Sequence, residues 1–86
     1  MNVIFTPNAF NQYMDWQAND KKTLKRINGL IKDIQRNGFM DGIGKPELLK
    51  HRTGFSRRID SANRLEYDAD SENNLLILAC KGHYEG

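Results

Sequence analysis

Apolar residues near the start of the chain form a short run and then a spaced stripe. The run Val3-Ile4-Phe5 ends at Thr6-Pro7. Threonine is a good helix N-cap and proline is favoured at the first helical position, so a strand over residues 2–5 is predicted to lead into a helix. The stripe predicted to face the core on this helix consists of Phe10, Tyr13, Met14 and Trp16.

A second helix is predicted from the spacing of the next apolar residues. From Leu24 onward they are Ile27, Leu30, Ile31 and Ile34. This spacing follows the 3.6-residue period of an α-helix, and lysine and arginine occupy the other faces. Asp20 can cap the start of the helix and Gly38 its end. We therefore expect two antiparallel helices, followed by a glycine-containing loop over residues 39–45.

The second half of the chain contains three short strand-like segments: Phe55–Ile59, Arg64–Tyr67 and Leu75–Lys81. Polar, turn-forming residues separate them. The nearly continuous apolar run in the last segment predicts a central strand covered by the helices, with Cys80 packed beside it. The predicted order is β-α-α-β-β-β, an α+β fold of one domain, residues 1–86. Two antiparallel helices cover one face of a mostly antiparallel sheet, and the other face is left free.

The net charge of +2 conceals an uneven distribution. Residues 21–36 carry six Lys/Arg against one Asp, and residues 44–64 carry six against two acids. Residues 65–86 carry one against five. Clustered positive charge attracts polyanions, so nucleic acid is the first partner to consider. For residues 21–36 alone, a solvated helix face is an equally good explanation.

Composition also bears on the compartment. The chain has no apolar stretch of about 20 residues and no signal-peptide pattern at its start, so we expect a soluble protein without membrane contact. The single cysteine, Cys80, has no partner for an internal disulfide and no companions at metal-ligand spacing. We therefore expect a cytoplasmic protein with no metal site and no cofactor.

Candidate chemistry is concentrated in the second half of the chain. Because side chains alternate along a strand, Arg58 and Arg64 can face solvent while Ile59 and Leu65 point into the core. Glu47 is the only acid between Lys45 and Ile59. It is either an ion-pair partner of the surrounding cations or a base acting on an anionic substrate, and the sequence alone favours the ion pair.

Two further residues, His83 and Tyr84, could take part in RNA cleavage. A histidine near a chain end is ordinarily a solvated surface residue. His51, which follows Lys50 in a basic turn, is also interpreted as a surface residue, with a phosphate contact as the lesser alternative. The neighbouring Tyr84 favours a second interpretation of His83, because a histidine can donate a proton to a leaving oxygen while an aromatic ring stacks on a base. The chain contains no P-loop, zinc-binding histidine pair or hydrolase-type serine motif.

Several motifs together resemble the YoeB and Txe toxins of the RelE superfamily, and the resemblance covers essentially the whole chain. They are Tyr13-x-x-Trp16, Asp20-Lys21-Lys22, Ile43-Gly44-Lys45-Pro46-Glu47, Leu49-Lys50-His51, Ser56-Arg57-Arg58-Ile59, Arg64-Leu65-x-Tyr67 and His83-Tyr84. The resemblance implies a RelE-like fold and a toxin of a type II toxin-antitoxin system. It also implies a metal-independent endoribonuclease that cleaves mRNA at the ribosomal A site, and an antitoxin of the YefM kind as partner. A homodimer is kept as a further option.

The resemblance also implies roles for individual residues. Glu47 matches the family's general base, His83 its general acid and Arg64 the arginine that stabilises the transition-state phosphate. Tyr84 matches the aromatic residue at the substrate base. The phosphate-binding positions are Lys50, Arg57 and Arg58.

The chain departs from the family pattern in four places. The segment Arg52-Thr53-Gly54-Phe55-Ser56 is shorter than usual and lacks a tryptophan. Asn63 stands where histidine is common, Glu66 replaces an apolar residue, and Glu85-Gly86 extends the usual ending. We expect these changes to affect ribosomal contacts and the placement of Tyr84.

Two other functions compete with the nuclease. A ParE-like toxin, which poisons DNA gyrase by protein contact, needs no acid–base residues, so the joint presence of Glu47, Arg64 and His83 argues against it. A non-catalytic module that binds RNA or the ribosome would use the same basic face.

Overall fold

The predicted α+β fold is confirmed by the computed structural model, which describes residues 1–82. In chain order its elements are β1 (Val3–Phe5), α1 (Pro7–Asn19), α2 (Lys21–Asn37), β2 (Glu47–Leu48), β3 (Phe55–Arg58), β4 (Arg64–Ala69) and β5 (Leu75–Ala79). The five strands form one sheet in the order β1-β5-β4-β3-β2. Only the pair β1–β5 is parallel among these strands. The two-residue edge strand β2 is an addition to the predicted order.

The second helix begins, ends and packs as its sequence predicts. The Asp20 side chain caps it by accepting a hydrogen bond from the Thr23 amide at 3.1 Å. At the other end Gly38 has φ = 98°, in the left-handed region that favours glycine. The predicted apolar positions Ile27, Leu30, Ile31 and Ile34 are all buried in the core.

The first helix packs inward only part of its predicted apolar stripe. Thr6 caps it, as expected, by accepting from the Ala9 amide at 3.1 Å. However, Phe10 and Met14 are 50% and 42% exposed, so their predicted place in the core stripe is wrong. Tyr13 and Trp16 pack against the core as predicted, and Ala9, which was not predicted, is buried beside them. The small Ala9 allows close approach to β5, and the Trp16 indole donates to the Cys80 carbonyl at 2.8 Å.

The two faces of the sheet differ in composition. On the side of the helices, Leu65, Tyr67, Leu75 and Ile77 are completely buried. As predicted, β5 is a central strand and Cys80 is buried beside it. We call the other side the open face; by strand register it carries Glu47, Ser56, Arg58, Arg64, Glu66 and Asp68, with Leu76 and Leu78 on β5. No helix within residues 1–82 is long and apolar enough to cross a membrane.

Candidate functional site

Two arginines form the centre of the open face. Arg58 on β3 pairs directly with Arg64 on β4. Arg58 is exposed and Arg64 half-buried, while Ile59 and Leu65 are buried on the opposite side. The predicted alternation of these four residues is therefore confirmed, and it creates a cationic floor accessible from solvent.

Glu47 reaches the same face from the edge strand. It pairs with Ser56, which places it diagonally across from Arg58, about 7–8 Å away between Cα atoms. The preceding turn uses two left-handed residues, Gly44 (φ = 82°) and Lys45 (φ = 57°). Gly44 fixes this turn to β3, because its carbonyl accepts from the Arg58 amide at 2.6 Å.

The ion-pair interpretation of Glu47 finds no support in residues 1–82. The ion pairs in this range are Arg52–Glu66, Arg57–Asp33 and Lys81–Asp15, and none includes Glu47. An exposed carboxylate beside the cationic floor, without a cation of this range bound to it, can accept a proton from a substrate.

Arg64 is held by the turn that precedes it. Its Nη1 donates to the carbonyl oxygens of Asp60 at 2.7 Å and Asn63 at 3.1 Å. Burial raises the pKa of Asp60. Hydrogen bonds from the amides of Ala62 and Asn63, together with the charge of Arg64, outweigh burial, so the pKa is lowered overall. The Asp60 carboxylate therefore stays ionised and keeps the turn in place at neutral pH.

The last described residue is also fixed at this turn. Gly82 accepts from the Arg64 amide at 2.9 Å and donates to Asn63 Oδ1 at 2.8 Å. Asn63 thus connects the turn to Gly82. The predicted residues His83 and Tyr84 follow directly and lie outside the described residues.

Lys50 lies in the exposed loop after β2, beside a cleft of about 370 Å³. In the same loop, Arg52 forms an ion pair with Glu66 at 2.5 Å, and both residues line this cleft. Because Lys50 is exposed and lines the cleft, it is accessible to an anion bound there.

Arg57 is not available, and its predicted role in phosphate binding is wrong. Register places it on the helix side of β3, opposite Leu65, where it is completely buried. Its guanidinium donates to Asp33 Oδ2 at 2.6 Å and to the Tyr67 hydroxyl at 2.9 Å. It also donates to three loop carbonyls, those of Gly38, Asp41 and Ile43. All five donors are thus engaged within the protein.

One supporting residue was missed by the sequence interpretation. Arg26 on α2 donates from Nη2 to the Arg58 carbonyl at 2.9 Å and from Nε to that of Ile59 at 3.3 Å. It therefore secures the end of β3 that carries Arg58. No sequence signal separates Arg26 from the other cations of α2, because its partners lie more than 30 residues further along the chain.

Within residues 1–82, no three His, Cys, Asp or Glu side chains come together in a group that could hold a metal ion.

Comparison with known proteins identifies close relatives. Residues 5–84 match the family model described as YoeB-like toxin of bacterial type II toxin-antitoxin system. Toxin YoeB of Synechocystis sp. is 51% identical, covering 99% of each chain. The YoeB dimer from Staphylococcus aureus superposes with a TM-score of 0.90 at 50% identity, covering 98% of each chain. YoeB in the heterotetrameric YoeB-YefM complex of the same organism gives 0.87 at 51% identity, with 98% coverage of each chain.

Proposed function

This chain belongs to the YoeB-like toxins of bacterial type II toxin-antitoxin systems, and on that premise we propose that it is a ribosome-dependent mRNA endoribonuclease. The proposal rests mainly on one observation. Strand register places Glu47, Arg58 and Arg64 on the same face of the sheet. The helices cover the other face, so these three side chains share an accessible surface. A base and two fixed cations on one accessible surface are what phosphodiester cleavage requires.

The proposed reaction needs no metal ion. Glu47 removes the proton of a ribose 2′-OH, and the 2′-oxygen attacks the adjacent phosphorus. Arg64 stabilises the developing negative charge, while Lys50 and Arg58 bind the phosphate oxygens. The bond from phosphorus to the 5′-oxygen then breaks, and His83 donates a proton to the departing oxygen. The products are a 2′,3′-cyclic phosphate and a 5′-OH.

The roles of His83 and Tyr84 rest on the resemblance and on the anchoring of the preceding residue. Gly82 is hydrogen-bonded to the Arg64 amide, so the chain enters this segment from a fixed point beside the arginine. In the proposal, His83 is the general acid and Tyr84 stacks on the substrate base.

The proposed partners are an antitoxin of the YefM kind, the ribosome with its mRNA, and a second copy of the chain. The Staphylococcus aureus relatives have been solved as a YoeB dimer and as a YoeB-YefM complex, which supports the first and last of these. We expect the antitoxin to cover the cationic open face with an acidic or apolar segment. Because ribosomes are the proposed target, we place the protein in the cytoplasm.

The decisive experiment uses ribosomes programmed with an mRNA that carries a single 2′-deoxy or 2′-methoxy nucleotide at the cut position. The unmodified mRNA should be cleaved to a downstream fragment with a 5′-OH, and cleavage should persist with a chelator wherever the ribosome stays intact. The modified mRNA should not be cleaved, because the nucleophile is missing. A 5′-phosphate downstream, or cleavage of the 2′-deoxy mRNA, would instead indicate an activated water.

A further inference from the structure

The cleft beside the open face has the dimensions of a small-molecule site. Its volume of about 370 Å³ lies within the usual range of about 300–1,000 Å³. The lining residues are Asn8, Leu49, Lys50, His51, Arg52, Glu66, Leu78 and Ala79. Leu49, Leu78 and Ala79 form its apolar part, and the other five lining residues add polar and charged groups that can orient a ligand.

The cleft is continuous with the cationic floor. Glu66 lies two residues after Arg64 on β4, so both side chains project from the open face. Across the strands, Glu66 on β4 pairs with Ser56 on β3, and Ser56 pairs with Glu47 on β2. At about 4.8 Å per strand, Glu66 is about 10 Å from Glu47. A nucleotide whose phosphate lies on the Arg58–Arg64 pair can therefore direct its base into the cleft.

Glu66 is the only acid in the described lining of the cleft, and its position is fixed. The residue is 6% exposed, and Arg52 binds its Oε1 at 2.5 Å. An ionised carboxylate only accepts hydrogen bonds, and each of its oxygens has two lone pairs, so the bond from Arg52 leaves acceptor capacity for a ligand. Such a group selects a base that offers N–H donors.

Guanine is the base that matches this group best. Its Watson–Crick edge presents the N1–H and the N2 amino group side by side, whereas uracil offers one ring N–H, and adenine and cytosine one amino group each. We propose that the cleft binds the base of a nucleotide adjacent to the cut, and that Glu66 makes it selective for guanine. This inference rests on the proposed nuclease function and names a substrate preference of the same site.

The same ion pair has a structural role that must be separated from base selection. Arg52–Glu66 fixes the loop over residues 49–54 to β4, and Thr53 does the same by donating to Asp68 Oδ2 at 3.1 Å. Loss of loop anchoring should slow cleavage of all mRNAs alike. Loss of base selection should change the ratio between two mRNAs, and this ratio is the quantity to measure.

The test compares ribosomes programmed with two mRNAs that differ only by guanosine or inosine next to the cut. Inosine lacks the N2 amino group. Because a hydrogen bond to a charged group is lost, the parent protein should cleave the guanosine mRNA at least about tenfold faster. Glu66→Val should bring the ratio to about one, and Glu66→Gln, which preserves size, should lower it in a protein that folds like the parent. Asp68→Val is the matched control, since it loses a loop contact outside the cleft and should keep the parental ratio.

Two results would overturn the inference: a parental ratio near one, or an unchanged ratio in both Glu66 variants. If the parent protein cleaved neither mRNA, the nuclease function would fail, and the cleft would be tested by NMR titration with guanosine and inosine 5′-monophosphates. The guanosine nucleotide should then shift the Leu78 and Ala79 amide signals with a several-fold lower Kd. Equal Kd values would rule out guanine selection.

Discussion

Arg58 and Arg64 lie directly opposite each other on neighbouring strands. Like charges at such a cross-strand pair repel each other. Carbonyl oxygens of the preceding turn accept hydrogen bonds from Arg64, but the positive charge of the pair remains. A bound anion would relieve this repulsion.

Replacing Arg58 by Gln should weaken binding to ribosomes and reduce the salt dependence of the affinity. Each lost phosphate contact lowers the slope of log K against log salt concentration by about one. The measurement is sedimentation binding over a series of salt concentrations. Arg36→Gln, at an exposed position on α2, should leave the slope unchanged. An identical slope for the parent and Arg58→Gln would mean that this arginine contacts no phosphate.

Replacing Glu47 by Gln should reduce cleavage by about 10² or more, because it removes a proton acceptor without changing size. Ribosome affinity should stay close to that of the parent. Single-turnover cleavage on programmed ribosomes and sedimentation binding measure the two quantities. Glu72→Gln, at an exposed turn position, is the control. A Glu47→Gln protein that cleaves at the parental rate would show that Glu47 is not the general base.

Replacing Arg57 by Met should lower the free energy of unfolding by about 3–5 kcal/mol, because the partly buried Asp33 carboxylate, the Tyr67 hydroxyl and three carbonyls lose their donor. Urea denaturation measures the effect. Arg58→Met, one residue later but exposed, should change the free energy by at most about 0.5 kcal/mol. Similar losses in both variants would contradict the assignment of Arg57 to the interior.

Stability should fall in acid partly through Asp33. Burial raises the pKa of Asp33, but the amide of Ile43 and the guanidinium of Arg57 lower it below its usual value overall. In the unfolded chain Asp33 takes up its proton near its ordinary pKa of about 3.9, whereas in the folded protein it does so only at a lower pH. Stability is therefore lost as the pH falls from about 3.9 through the folded pKa. Thermal melts between pH 7 and 2 should show this fall, and Asp33→Asn should flatten it. An equally steep fall in Asp33→Asn would assign the effect to other carboxylates.

Cys80 should be unreactive in the folded protein. Burial raises the pKa of its thiol to about 11, so little thiolate exists at neutral pH. Iodoacetamide should modify it at least about tenfold more slowly in buffer than in urea, as followed by mass spectrometry. Rapid modification in buffer would show that β5 and α1 separate readily.

The sequence predicts those parts of the fold in which local pattern and tertiary packing agree. The periodicity of α2 identified its four core residues, because a long amphipathic helix has one face to bury. In α1 the inward face is set by the small Ala9 against β5, a contact between residues more than 70 positions apart. The sequence therefore placed Tyr13 and Trp16 correctly but Phe10 and Met14 wrongly.

Local sequence pattern also predicted part of the candidate site, and it failed again where a distant contact decides the position of a side chain. Alternation along β3 and β4 correctly placed Arg58 and Arg64, because Ile59 and Leu65 fix the register. The same alternation turns Arg57 inward. An arginine is ordinarily assigned to the surface. The partners that allow its burial are Asp33, Tyr67 and the loop over residues 38–43, which all lie at least ten positions away in sequence.

The parallel pairing of β1 with β5 has a consequence for biosynthesis. Strand β1 hydrogen-bonds to β5, and Trp16 of α1 hydrogen-bonds to Cys80 directly after β5. The first two elements of the chain therefore need the last strand before they can pack. Until residue 80 has left the ribosome, α1 and β1 have no sheet to pack on, and β4 lacks the neighbour that completes the open face. Docking of β1 and α1 onto β5 is therefore a late folding event, which has to wait until residue 80 has been synthesised.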